Sequence, residues 1–316
     1  MPSFDVETLR QSLSDFQYAE IFQHNELWSS YLKMYQLAPL VEQYQLRAGV
    51  VSCGHYDLVV QHYMQNGTSH GTVLLVHGYM DHVGLYSQLI TEMLGAGWDV
   101  LCYDLPGHGL STGDRYAIDD FSRYAGQLET ILQQQVLQKP CVMIGQSTGG
   151  AIVLAHQKLF TSQHEIDPIE HRILLAPLIR PAQYHVISWK YTLLRFFLKR
   201  IKRFHSTNSH DADFVSFIRT QDPLQNQWVA VSWVGAMLEW VGVIEAGKAQ
   251  LIDITVIQGT DDNTVDWQHN LSVLQRLFPD IEVELVEEGR HHLANEGLPW
   301  RRQVYDKITA VLRRIR

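Results

Sequence analysis

Cysteine is scarce in this chain: three occur in 316 residues, at Cys53, Cys102 and Cys141, with no close pairing and no metal-type spacing. That spacing excludes a disulfide framework and leaves the three as small apolar residues of a reducing compartment. Charge is also modest, at 19% of residues against 46% apolar, which excludes a disordered chain. Positive charge is not in excess. The formal net charge of −9 makes the chain as a whole a poor partner for nucleic acid, and no nucleic-acid-reading motif occurs. Long apolar runs are missing too. "WVAVSWVGAML" (228–238) is too short to span a bilayer, and the opening "MPSFDVETLR" carries two acids and lacks the apolar core of a secretory signal. A soluble cytoplasmic protein is the expectation. There is no P-loop and no H-E-x-x-H, and the sixteen histidines show no ligand spacing, so neither a metal nor a cofactor is expected. "PGHGLSTG" fails the dinucleotide fingerprint because its third glycine would fall on Thr112.

What is present is an alternation. Residues 1–46 are polar with a largely helical pattern, and from Val50 the chain turns to short β-rich runs. Near-continuous apolar strands such as "TVLLV", "WDVLCYDL", "PCVMIG" and "RILLAPL" then alternate with amphipathic helices. This predicts an α/β fold, a mostly parallel doubly wound sheet covered on both faces. The alternation stops near Ile179 and resumes at "LIDITVIQG" (251–259). The predicted core is therefore 1–179 plus 249–316, with 1–46 as a helical extension and 180–248 as an inserted helical cap.

"GQSTGG" (145–150) sits where a strand hands over to a helix and fits G-x-S-x-G, the nucleophile elbow. A turn this sharp brings neighbouring backbone close, so its flanking positions must lack side chains. The bland alternative is a serine in an ordinary strand-to-helix turn. If Ser147 is a nucleophile, it needs a base to take its proton and an acid to orient that base, both at the ends of later strands. Two such ends follow, "QGTDDNTVD" and "EEGRHHLANE", each offering a doublet: Asp261 or Asp262, and His291 or His292. The N–H of Thr148, next to the serine, and that of Tyr79 in "HGYMDH" (77–82) are the candidate oxyanion donors. His77 reads as a structural hydrogen-bonding residue rather than a ligand.

"GTVLLVHGYMDHVGLY", "YDLPGHGLSTG", "GQSTGG", "QGTDDNTVD" and "EEGRHHLANE" together resemble the α/β-hydrolase superfamily, and within it the monoacylglycerol lipase and lysophospholipase-like group. They run in the family's order across most of the chain; the cap and the first 45 or so residues are less typical. The resemblance implies a cofactor-free serine esterase acting on a small-molecule acyl ester of lipid type. It places the nucleophile on Ser147 and the acid on Asp262, three residues after Gly259. Counting from Gly289 would choose His292 as the base, whereas the "NE" frame of "HHLANE" chooses His291, which is the reading adopted. Alternatives from other classes are an amidase or peptidase using the same triad, and an inactive hydrolase fold that binds a lipid or a partner.

The cap carries the other informative stretch. No acid occurs between Glu170 and Asp211, so an acidic protein has a locally cationic insertion. In "WKYTLLRFFLKRIKRFH" (189–205), Leu194, Phe197, Leu198, Ile201 and Phe204 recur at helical spacing, with Lys190, Arg195, Lys199, Lys202 and Arg203 on the other faces. A helix of this kind either packs its stripe on the core or rests on an anionic membrane surface, as a peripheral contact. Trp233, Met237 and Trp240 form a second stripe, expected to pack in the core or to line an acyl pocket.

Overall fold

The structure, a computed structural model, describes residues 4–22, 25–160, 167–203 and 207–316. Among the described residues ten strands are formed: β1 Gln45–Cys53, β2 Tyr56–Met64, β3 Thr72–Val76, β4 Asp99–Tyr103, β5 Cys141–Gln146, β6 His171–Leu175, β7 Arg200–Lys202, β8 Trp228–Ala230, β9 Ile254–Gly259 and β10 Glu282–Val286. Eight of them make one sheet in the order β1-β2-β4-β3-β5-β6-β9-β10. From β4 to β10 all neighbours are parallel, and β2 runs antiparallel to both β1 and β4. Strands β3, β4, β5 and β9 are buried along their whole length, which explains their unbroken apolar sequences: neither face meets water.

The helices are α1 Val6–Gln11, α2 Glu26–Met34, α3 Ala38–Gln43, α4 Ser87–Gly95, α5 Phe121–Gln133, α6 Thr148–Phe160, α7 Tyr184–Leu194, α8 Ala212–Thr220, α9 Val231–Glu245, α10 Trp267–Leu277 and α11 Leu298–Ile315. Two apolar layers result. On one face of the sheet α5, α6, α9 and α10 cover residues such as Leu74, Met143 and Val256; on the other α2, α3, α4 and α11 cover Val73, Ile144 and Ile257. Each Val, Leu or Ile withdrawn fully from water contributes about 1.5–3 kcal/mol, so alternating side chains of one strand stabilise both layers.

Between β6 and β9 the chain leaves the sheet for α7, α8, α9 and the two-stranded ribbon β7-β8. Of the two stripes in this stretch, Trp233, Met237 and Trp240 are buried in the α5 and α6 layer. The Trp240 indole N–H donates to the Leu178 carbonyl at 3.0 Å, and its ring stacks on Phe121. The 189–205 stretch differs from expectation. Its helix ends at Leu194, and Arg200–Lys202 pairs antiparallel with Trp228–Ala230 instead. No residue of α7 is buried, so further turns would gain no tertiary support, and a short helix alone is marginal. The ribbon gives those backbone groups partners and seats Arg200 over the Trp228 ring. Leu194, Phe197, Leu198 and Ile201 therefore do not form one helical stripe, and Phe204 lies outside the described residues.

Candidate active site

Ser147 follows β5 directly and precedes α6, with a left-handed φ of 55°. That backbone is uncommon for a residue with a Cβ and marks a strained turn. Its neighbours explain how the turn is possible. A Cβ on Gly149 would lie 2.1 Å from the Val76 carbonyl oxygen, and one on Gly145 would lie 2.6 Å from the Gly149 backbone. The elbow needs both glycines because β3 and α6 pass that close.

The two doublets separate cleanly. The Ser147 hydroxyl lies 2.9 Å from His291 Nε2, and His291 Nδ1 lies 2.8 Å from Asp262 Oδ2. With Nδ1–H donating to the carboxylate, Nε2 is left as the acceptor of the serine proton. Asp262 is buried at the end of β9 and accepts three further hydrogen bonds, from Gln258 Nε2 and the N–H groups of Thr264 and Val265. Burial alone would raise its pKa, but the His291 ring and these donors hold it below the usual carboxylate value. Burial would likewise lower His291, yet the charge of Asp262 and the bond to it, helped by Asp81, leave the imidazole raised above 6.5. Asp261 is instead half exposed and sits 3.4 Å from Arg290 Nε. His292 turns away to Asp81, with its Nε2 3.2 Å from Oδ2 but off the hydrogen-bond direction.

The "HGYMDH" loop closes the site from β3. A Cβ on Gly78 would lie 3.5 Å from Ser147 Cβ, so this backbone passes directly over the serine. Among the described residues, no acceptor is found for the N–H of Tyr79 or of Thr148. His77 is fully buried; its Nδ1–H donates to the Gly78 carbonyl at 2.8 Å, and its Nε2 accepts from the Leu105 N–H at 3.0 Å. Both ring nitrogens are committed to backbone, and burial lowers its pKa, so it is a neutral strut. The Tyr79 ring stacks on Trp233 with centroids 3.7 Å apart.

Three residues hold the loop carrying His291; Gln146 escapes a reading of the motifs alone, and Asn295 and Glu296 are the "NE" of the frame. Gln146, buried beside the serine, donates to the His291 carbonyl at 2.9 Å and accepts from the Ala294 N–H at 3.3 Å. Asn295 donates to the Leu85 carbonyl at 2.7 Å. The fully buried Glu296 carboxylate accepts from the N–H groups of His210, Arg290 and Gly297 and from the Ser209 hydroxyl. "NE" thus frames the histidine because these two side chains pin its loop. The available signal was the pairing of an amide and an acid directly after an apolar "HHLA". Among the described residues no cluster of three His, Cys, Asp or Glu side chains could hold a metal ion, and the cysteines are unpaired thiols.

Residues 67–297 match the Hydrolase_4 family, described as serine aminopeptidase, S33. The chain is 22% identical over 267 residues to the monoglyceride lipase of Homo sapiens, covering 81% of this chain and 86% of that protein. A solved soluble variant of monoglyceride lipase from Saccharomyces cerevisiae, in complex with a substrate analogue, superposes with a TM-score of 0.71 at 18% identity, over 83% of this chain and 93% of that one. The crystal structure of Paleococcus ferrophilus monoacylglycerol lipase gives a TM-score of 0.68 at 20% identity, over 81% and 98%. At such identities the solved structures speak for the fold, which is the α/β-hydrolase fold.

Proposed function

The chain belongs to the Hydrolase_4 family, and from that premise we propose that it is a serine hydrolase cleaving carboxylic esters of lipid type, such as a monoacylglycerol or lysophospholipid. The observation that carries this reading is the unbroken chain from Ser147 Oγ through His291 to Asp262, at 2.9 and 2.8 Å, on a strained elbow. Ser147 attacks the ester carbonyl while His291 Nε2 takes its proton, and Asp262 holds the imidazole and stabilises its cation. The N–H groups of Tyr79 and Thr148 stabilise the tetrahedral oxyanion, worth about 10²- to 10³-fold per donor. His291 then protonates the leaving alcohol, and water repeats the cycle on the acyl-enzyme.

Residues 180–248 form the cap of this enzyme over a core made of 1–179 and 249–316. Its outer side supports a lipid substrate: Trp189, Phe196 and Phe197 are 64%, 78% and 82% exposed, beside Lys190, Lys199 and Arg200. A cleft of about 770 Å³ opens there, lined by Tyr191, Arg195, Phe196, Trp228 and Ala230. Ala230 N–H reaches the Tyr79 hydroxyl at 3.4 Å, which links the cleft wall to the loop over the serine. Peripheral contact of this cationic, apolar surface with an anionic membrane belongs to the same reading. Unpaired thiols, and no helix among the described residues long and apolar enough to cross a membrane, fit a cytoplasmic, membrane-peripheral enzyme.

The family description names an aminopeptidase, so an amide substrate is the second reading. An aminopeptidase must neutralise the substrate's free ammonium with a carboxylate. Asp262 is engaged with His291, and Asp81, in the loop over the serine, with Tyr86 and His292. The test is a panel of p-nitrophenyl acyl esters against aminoacyl anilides, with fluorophosphonate labelling of wild type and Ser147→Ala. Ester turnover and labelling that both vanish in Ser147→Ala support the proposal. Retained labelling, or faster cleavage of the anilides, would overturn it.

A further inference from the structure

The family match begins at residue 67, so the N-terminal helices lie outside it. Yet one side chain from this segment reaches the active-site loop. Tyr35, directly after α2, is buried with its ring over the backbone of Gly84, where an added Cβ would lie 2.6 Å from the ring carbon. The ring also meets His82 edge-on, with centroids 4.8 Å apart, and Phe217 of α8 at 6.0 Å. Its hydroxyl donates to Asp222 Oδ1 at 2.7 Å, and the other Asp222 oxygen accepts from His82 Nε2 at 2.9 Å. Three regions converge on one carboxylate: the N-terminal segment through Tyr35, the stretch between α8 and β8 through Asp222, and the "HGYMDH" loop through His82.

That loop needs holding. Met80, between Tyr79 and His82, has a φ of 67°, a left-handed backbone on a residue with a side chain. Its carbonyl accepts from Gln225 Nε2 at 2.9 Å, three residues after Asp222. The 222–225 segment is itself fixed, since the Leu224 N–H donates to Asp222 Oδ1 at 3.0 Å and the Leu224 carbonyl accepts from the Tyr116 hydroxyl. Burial would raise the Asp222 pKa, but His82, Tyr35 and the Leu224 N–H hold it low, so the carboxylate stays charged within this network. A peptide plane that carries an oxyanion donor acts only if its N–H direction is preorganised. The Tyr79 N–H lies in the Gly78–Tyr79 plane, whose carbonyl accepts from His77 Nδ1 and from the Asp81 N–H; the bonds on Met80 and His82 hold the chain on which that second contact depends.

We propose that Tyr35 and Asp222 are positioning residues of the reaction: acting through His82, they fix the 79–82 loop so that the Tyr79 N–H faces the oxyanion formed on the Ser147 adduct. This rests on the hydrolase reading above. It gives the N-terminal segment a part in catalysis although it touches no substrate.

The test uses the full chain carrying Tyr35→Phe, which keeps the ring and removes one hydroxyl, and Asp222→Asn. Active sites are titrated with a fluorophosphonate, and kcat and KM for a p-nitrophenyl ester are expressed per titrated site. Affinity for a trifluoromethyl ketone, which forms a tetrahedral adduct, is measured alongside. The expected result is a kcat per site reduced about 3- to 10-fold in Tyr35→Phe and about 10- to 100-fold in Asp222→Asn, with KM within about twofold and ketone affinity falling in parallel. A purely structural role would lower the titratable fraction and leave kcat per site and ketone affinity unchanged, which would overturn the proposal. If Asp222→Asn does not fold, Tyr35→Phe alone decides by the same two readouts. A wild type that neither labels nor turns over would defeat the hydrolase reading. A wild type that labels beside an unaltered Tyr35→Phe would defeat only this inference.

Discussion

The two sides of the Ser147 region are built on opposite plans. Beneath it, Gln146, Asp262, His291 and Glu296 are buried and held by many hydrogen bonds: Asp262 accepts from four donors, Gln146 binds two points of the His291 loop, and Glu296 gathers three backbone N–H groups. On the other side, in the stretch proposed as the cap, residues 184–203 leave Trp189, Leu193, Phe196 and Phe197 at least half exposed, and no residue of α7 is buried. The difference separates two requirements. Reacting groups must be fixed before substrate arrives, because reorganising them would cost rate. A surface that meets a lipid must keep apolar area uncovered, at the expense of local stability.

The largest effect that could break this comparison lies in the histidine doublet. His291→Ala should lower kcat/KM about 10⁴-fold or more, since it removes the proposed base, whereas His292→Ala should cost at most about 10²-fold through the loosened Asp81 contact. Steady-state kinetics on a soluble ester measures both. Equal losses would mean that the lower side of the site is not built around one imidazole.

The aspartate doublet comes next. Asp262→Asn should cost about 10³- to 10⁴-fold and Asp261→Asn less than about twofold, because only the first accepts the His291 Nδ1–H. The pH profile sharpens this. The base must be neutral, so wild-type kcat/KM should fall as pH drops through a limb lying above 6.5, the direction in which Asp262 moves His291. Asp262→Asn removes that cause, and the limb should move to lower pH. The linkage to folding has the opposite sense. A raised histidine stabilises the fold fully below its unfolded pKa, and that contribution is lost as pH rises through the folded one. Residual activity in Asp262→Asn with an unshifted limb would detach Asp262 from the base.

A smaller effect, on stability, tests the supports. Glu296→Gln keeps the shape of a fully buried side chain but replaces an acceptor-only group by one with donors, facing three backbone N–H groups. A loss of about 2–4 kcal/mol in unfolding free energy is expected, measured by urea midpoint. Unchanged stability would mean that the His291 loop does not depend on this carboxylate.

How much of this was legible in the sequence follows the same division. Strands buried on both faces announce themselves as apolar runs, so β3 to β6 and β9 could be read directly, and the doubly wound sheet with them. The elbow was legible because close backbone approach demands glycine at particular positions. The choice within the histidine doublet was not a local property. It depends on which way the loop turns, which Asn295 and Glu296 decide through contacts with Leu85 and with Ser209 and His210. Tyr35 was invisible for a related reason: its partner Asp222 is 187 positions away in the chain. The 189–205 stretch was misread as one helix because spacing alone does not say whether a face has anything to pack against.

The smallest expected effect lies on the upper side, and it is the one that distinguishes a lipid-facing surface from an ordinary exposed one. Replacing Phe196 and Phe197 with Ser should leave turnover of a soluble short-chain ester within about twofold, because both side chains are about 80% exposed and the Phe196 ring carries the Arg195 guanidinium at the surface. The same variant should lose activity on a long-chain ester presented in anionic vesicles. There each phenylalanine would bury apolar area worth about 25 cal/mol per Å². Co-sedimentation with phosphatidylserine vesicles gives the binding term separately from turnover. Equal activities on both substrates would make the exposed aromatics incidental. A loss confined to vesicles would mean that the upper surface is left unpacked so that a membrane can cover it.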